Sequence, residues 1–201
     1  MKMRMNNQEA LWTNLKTPGM EHLYLVEVNG CLWADGLILS LGKESPHRVR
    51  YFIRFDEHLR VRNIRVDVAG YQSWSVEKIV NEDWQWMPYF QGPEQELSGC
   101  RAFDISFSIT TKSLALRHLT LSPGEMDEFQ IAYLDETDFR IKSSHCRITC
   151  IKKDEKQALY RYENLFSDST YKLLIDQNGL LIDSSEILKR VWPRASTSPP
   201  E

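Results

Sequence analysis

Apolar and polar residues alternate along much of this chain with a period of two, the spacing that sends successive side chains to opposite faces of a β-strand. In the segment 49–55, Val49, Tyr51, Ile53 and Phe55 share one face while Arg50 and Arg54 take the other. After the turn residues Asp56-Glu57-His58, Leu59 and Val61 hold one phase, and Ile64, Val66 and Val68 hold the opposite one. A β-bulge near Asn63 accounts for that slip, as does burial of both faces.

The same alternation predicts strands at 22–29, 32–41, 71–79, 98–108, 114–121, 127–134, 138–150, 157–165, 170–176 and 179–183. Ser122-Pro123-Gly124-Glu125 and Asp176-Gln177-Asn178-Gly179 supply turn residues, and Lys152-Lys153-Asp154-Glu155-Lys156 is a charged loop, so the strands read as a meander of hairpins. So many strands without crossover helices imply antiparallel pairing. A sheet this wide curls, because strand twist accumulates. The expected fold is all-β: a curled antiparallel sheet forming a roll or partly closed barrel, with one short C-terminal helix. That helix is expected after a Ser184 or Ser185 cap, with Ile187, Leu188 and Val191 as its apolar stripe. Residues 1–192 are expected to form a single β-rich domain, and 193–201 a disordered tail.

Composition narrows the function classes. The chain has 201 residues, of which 42% are hydrophobic, enough for a substantial core. A net charge of −3 supplies no broad basic field, so nucleic acid is not an expected partner. Arg48, Arg50, Arg54, Arg60, Arg62 and Arg65 form a local basic cluster, but Asp56, Glu57 and Asp67 lie among them and favour a salt-bridged sheet face. No segment has the length and apolarity of a signal peptide or an integral membrane helix, and four cysteines are too sparse for a disulfide scaffold. The expected compartment is the cytoplasm.

Candidate chemistry is thin. The five histidines show no metal spacing, no nucleophile elbow or phosphate-binding glycine loop occurs, and Cys146 and Cys150 read as buried small residues. No catalytic residue, metal or cofactor is therefore expected. Cys100 beside His118 reads as a core cysteine, since a reactive thiolate needs a nearby cation or helix N-terminus. The segment 71–90 concentrates Tyr71, Trp74, Trp84, Trp86, Tyr89 and Phe90, rings that suit either an amphipathic groove or the filling of a roll. Asp104, Arg117 and Asp176 each lie in or beside an apolar stretch and are expected to be partly buried and paired.

The block from Gly99 to Leu119 carries a resemblance. Gly99-Cys100, Asp104 and Leu114-Ala115-Leu116-Arg117-His118-Leu119 resemble the central block of a bacterial family of putative glycolipid-binding proteins, long a domain of unknown function. Arg50-Tyr51, Asp56, Arg62 and Val66 resemble its upstream strand pair; Tyr160-Arg161-Tyr162, Leu173 to Asp176, Gly179 to Leu181 and Arg190 resemble its closing elements. The chain departs from the pattern at Ala102 in place of an acidic residue, Ile109 in place of a proline and Lys112 in place of an asparagine. It also has Leu59 for a tryptophan, and Ser184-Ser185 for Tyr-Pro. The family is similar in fold to periplasmic lipoprotein carriers, whose curled sheet encloses a hydrophobic cavity.

The resemblance implies non-enzymatic binding of an amphipathic ligand, a glycolipid or acyl compound, in the cavity of the curled sheet. Tyr51, Trp86, Tyr160 and Tyr162 are the expected cavity residues, with Arg62 and Arg117 near the polar end and Asp104 as a further ligand contact. Two alternatives stand beside it. One is an enzyme acting on a lipid or sugar conjugate, with Asp104 and His118 as acid and base. The other is a protein-interaction module using an open sheet edge or an aromatic patch, with homodimer formation through the exposed edge; a filled or closed interior would count against the carrier and raise this reading.

Overall fold

The structure, a computed structural model, describes residues 7–42, 45–70, 73–78, 84–86, 97, 99–135, 137–184 and 187–193, with backbone alone at 73–78 and 84–86. The alternating pattern becomes β1 (Gln8–Asn14), β2 (Gly19–Val28), β3 (Cys31–Leu41), β4 (Pro46–Phe55), β5 (Val61–Val68), β6 (Ser73–Lys78), β7 (Trp84–Trp86) and β8 (Ala102–Ile105). After the helix α1 (Ile109–Leu114) come β9 (Met126–Leu134), β10 (Ile141–Lys153), β11 (Gln157–Asn164), β12 (Ser169–Asp176), β13 (Leu181–Ser184) and β14 (Leu188–Trp192).

These strands form one sheet in the order β7-β6-β5-β4-β3-β2-β1-β14-β13-β12-β11-β10-β9-β8. From β5 round to β8 it makes a twelve-strand, nearly closed barrel with one unsealed seam, and β6 and β7 continue past the seam. The fold is therefore the curled, nearly all-β sheet that the strand count and twist require, with one short helix. The bulge lies where the phase slips: Arg54 faces Asn63 and Phe55 faces Val61, leaving Arg62 as the extra residue.

One pairing is parallel, β8 with β9, and parallel neighbours need a crossover. Here the crossover passes back along the inner side of the barrel, and α1 is its centre. All six α1 residues are buried, and Ser108 caps the helix by accepting a hydrogen bond from the Thr111 amide at 3.0 Å.

Three expectations are corrected. The strand expected at 114–121 is the end of α1 followed by turns, and the strand at 98–108 is reduced to β8. The β-branched residues Ile109, Thr110 and Thr111 favour extended backbone in isolation, but the Ser108 cap and burial on every side override that preference. The short helix is α1, not a C-terminal one: residues 188–192 form β14, with Leu188 facing both Asn14 of β1 and Ser184 of β13. A strand there joins the first and last parts of the chain, which a helix cannot do. β1 was not among the expected strands. The side chains of the aromatic segment 71–90 and the tail from 194 onward lie outside the described residues.

The inner face is apolar around most of the barrel. Val49, Tyr51, Ile53 and Phe55 of β4 and Val61, Ile64, Val66 and Val68 of β5 are all buried. One end of the barrel carries the turns at 29–30, 56–60 and 177–180; the other carries the turn at 135–140 and the entry to α1.

Candidate functional site

Three buried charges occupy the interior at the level of α1: Glu21, Asp104 and Lys112. Period-two spacing places Glu21 of β2 in phase with the inward Leu23 and Leu25. Its Oε1 accepts hydrogen bonds from the Tyr51 hydroxyl and the Ser108 hydroxyl, each at 2.8 Å. Burial pushes the Glu21 carboxyl above its ordinary pKa, with the hydrogen bonds from Ser108 and Tyr51 and the charge of Lys112 acting against it. The Tyr51 hydroxyl is pushed well above its ordinary range by burial and by Glu21. The Tyr51 ring lies flat over Gly36 of β3, where a Cβ would overlap it.

Asp104 of β8 accepts from Lys112 Nζ at 3.0 Å, from the Thr111 hydroxyl at 2.9 Å and from the Tyr162 hydroxyl at 2.9 Å. Lys112 Nζ also reaches the carbonyls of Ile105 at 3.0 Å and Ser108 at 2.9 Å, and lies 5.0 Å from the centre of the Tyr171 ring. Burial raises the Asp104 pKa and Lys112 opposes that rise. Both charges are held by protein partners, and this network fastens α1 to the barrel wall.

The barrel end with the 56–60 turn differs. Arg62, turned outward by the bulge, pairs with Asp56 at 3.0 Å and is about one-third exposed. Arg101, just before β8, pairs with Asp127 at 2.9 Å and lies over the Phe129 ring. His118 packs edge-on against Phe129, and its Nε2 is 3.5 Å from Arg101 Nη2. Burial, then Arg101, lowers the His118 pKa to about 4, with smaller effects from Asp127, Arg60 and Asp56. The last two place the 56–60 turn close to His118, across the seam from the start of β8. Arg117 reaches the opposite rim, donating to the Asn178 carbonyl at 2.6 Å and toward Gln8 Oε1 at 3.4 Å. Burial lowers its pKa to about 10, which keeps it charged at neutral pH. Tyr160, two residues from Tyr162 on the same inward face of β11, lies toward this end.

Of the residues expected to contact a ligand, the structure brings Arg62, Arg117 and Tyr160 to one barrel end. Tyr51, Asp104 and Tyr162 are instead tied into the polar network around α1. The Trp86 side chain lies outside the described residues. Asp104 is bound within the network around α1, whereas His118 lies against Phe129 and Arg101 at the 56–60 end. Glu21 and Lys112 were missed; the phase of Glu21 with Leu23 and Leu25 was a legible signal, and Lys112 was visible only as a departure from the family pattern. The expected pairing of Asp176 is found, with Arg190 at 2.6 Å. Cys100, Cys146 and Cys150 are buried and form no disulfide among the described residues, and burial pushes the Cys146 thiol up. Among the described residues no cluster of His, Cys, Asp or Glu could hold a metal, and no helix is long and apolar enough to cross a membrane.

A family model described as "putative glycolipid-binding" matches residues 9–190. The crystal structure of a DUF1089 family protein from Pseudomonas aeruginosa superposes with a TM-score of 0.67, covering 94% of this chain and 100% of that one at 24% identity, a likeness of fold. No curated protein matches the chain.

Proposed function

The chain belongs to the putative glycolipid-binding family, and from that premise we propose that it binds an amphipathic ligand, a glycolipid or acyl compound, without turning it over. The observation that carries this reading is the seam. β5 and β8 do not pair with each other, the inner faces of β4 and β5 on one side of the gap are apolar, and arginines gather at one end of it. Acyl chains gain affinity from apolar walls, and a few polar groups at the mouth fix orientation. The acyl part lies along the inner faces of β4 and β5 beside the seam. The polar part sits at the 56–60 end, near Arg62, Arg117 and Tyr160.

α1 runs through the interior, so the ligand enters beside this helix and not into an empty tube. Native mass spectrometry with lipid extraction tests the reading, together with a photoactivatable alkyl glycoside. A stoichiometric lipid and labelling of peptides 46–68 are expected. A protein that stays empty, shows no thermal shift with glycolipids and is labelled only on its outside sinks it.

The packing around α1 also favours a second reading, a protein-interaction module. Met20, Leu39 and Leu41 are exposed around a shallow recess of about 340 Å³ on the outer face, which Arg48 also lines, at the end opposite Arg62 and Arg117. Labelling confined to that recess supports this reading.

A further inference from the structure

Asp176 is used up. Its Oδ2 takes Arg190 Nη1 at 2.6 Å, and its Oδ1 accepts the amides of Asn178 and Leu180 at 2.9 and 3.0 Å. Arg117 lies close enough to feel that carboxylate but makes no ion pair with it, and has no carboxylate partner among the described residues. Two guanidinium groups therefore share one acid, and one positive charge is left over at a partly buried position on the rim. A buried charge without a counter-ion is costly, which is why such charges are ordinarily paired.

The geometry of Arg117 shows where an anion fits. Nη2 is held by the Asn178 carbonyl and Gln8, while Nε is buried with no partner. Nη1 makes no hydrogen bond to the protein and is not among the buried unsatisfied atoms, so it is the edge of the fork that remains reachable. Gly179, at φ 74°, lies against the Nε, Cζ and Nη2 side of the guanidinium, where a Cβ would come to 3.4 Å, so the Nη1 edge is the side turned away from this turn residue.

We propose that Arg117 is an anion-binding side chain that takes a singly charged oxyanion of the phosphate class on its open Nη1 edge, at the rim between β1 and the β12–β13 turn. An arginine fork suits this chemistry, because its planar donors match tetrahedral and carboxylate oxygens better than a point charge does. Resting on the amphipathic-ligand reading, the proposal makes the headgroup anionic; the same chemistry also admits free phosphate.

Calorimetric titration of the full chain with three probes tests it: dihexanoyl phosphatidylglycerol, a neutral dihexanoyl glucosyl glycerol, and inorganic phosphate. The anionic lipid is expected to bind about ten-fold tighter than the neutral one, with Arg117→Gln removing the difference. If phosphate alone raises the melting temperature of the wild type but not of the variant, and neither lipid binds, the anion site stands and the lipid reading fails. If both lipids bind equally well and the variant binds as the wild type does, the anion site is overturned and the lipid reading stands. Should Arg117→Gln not fold, the Arg117 Nε resonance of the wild type decides. It must move with phosphate and stay fixed with the glucoside; a resonance unmoved by phosphate overturns the proposal.

Discussion

Lys112 Nζ lies 3.0 Å from Asp104 Oδ1 with both side chains sealed from water, which makes one ion pair the tie between the inner helix and strand β8. Removing one partner strands the other charge in the interior. Lys112→Met is expected to cost about 3–5 kcal/mol in urea denaturation, and Asp104→Asn a similar amount. The double variant should lose less than the sum of the two, since no charge is then left unpaired. Additive losses would show that the pair does not couple.

Glu21 gives a stability effect with an unusual sign. Its folded pKa is raised above 4.5, so between 4.5 and the folded value the native state holds more protons than the unfolded one. That contribution is present below 4.5 and is lost as pH rises through the window. Glu21→Gln keeps an acceptor for Tyr51 and Ser108 but cannot ionise. The variant should therefore gain on the wild type as pH rises from 4 to 8, read from denaturation midpoints at each pH. A gap that closes with rising pH contradicts the assignment.

His118 acts in the other direction. Its folded pKa is lowered from 6.5 to about 4, so between those values the unfolded state binds more protons and stability falls on acidification. Allowing for partial exposure, the loss is roughly 1–3 kcal/mol. His118→Gln should flatten the decline between pH 6.5 and 4 while changing little at pH 7.5. An unchanged slope would place the acid sensitivity elsewhere.

Tyr160 and Tyr162 face the same way but should separate binding from stability. The Tyr162 hydroxyl donates to Asp104 at 2.9 Å, whereas the Tyr160 hydroxyl makes no hydrogen bond among the described residues. Tyr162→Phe is expected to cost about 1.5–3 kcal/mol. Tyr160→Phe should stay within about 0.5 kcal/mol and weaken binding of the short-chain lipid probes. Equal stability losses for the two would mean that Tyr160 is also structural.

Gly36 is small because Tyr51 needs the space. A methyl group there overlaps the Tyr51 ring and forces the hydroxyl away from Glu21. Gly36→Ala should cost about 1–3 kcal/mol, or several degrees of melting temperature at this chain length. A variant as stable as the wild type would show that the ring can rotate aside freely.

By itself the sequence determined most of the strands, the curl and the family. Period-two alternation is a local property, so Val49 to Phe55 read as a strand from seven residues, and the phase slip near Asn63 announced the bulge that proves to be at Arg62. Twist then makes a wide sheet curl without reference to any particular contact. Tertiary structure decided what local pattern cannot encode. Ile109, Thr110 and Thr111 carry extended-chain propensity and became helix because the interior surrounds them and Ser108 caps them. Residues 188–192 became a strand because β1, far away in sequence, needed a neighbour. The same holds for function. Asp104 and Arg117 looked alike as charges in apolar stretches. Only three-dimensional placement gave Asp104 a lysine and left Arg117 without an acid, because charge compensation depends on which side chains meet across the barrel, not on their order along the chain.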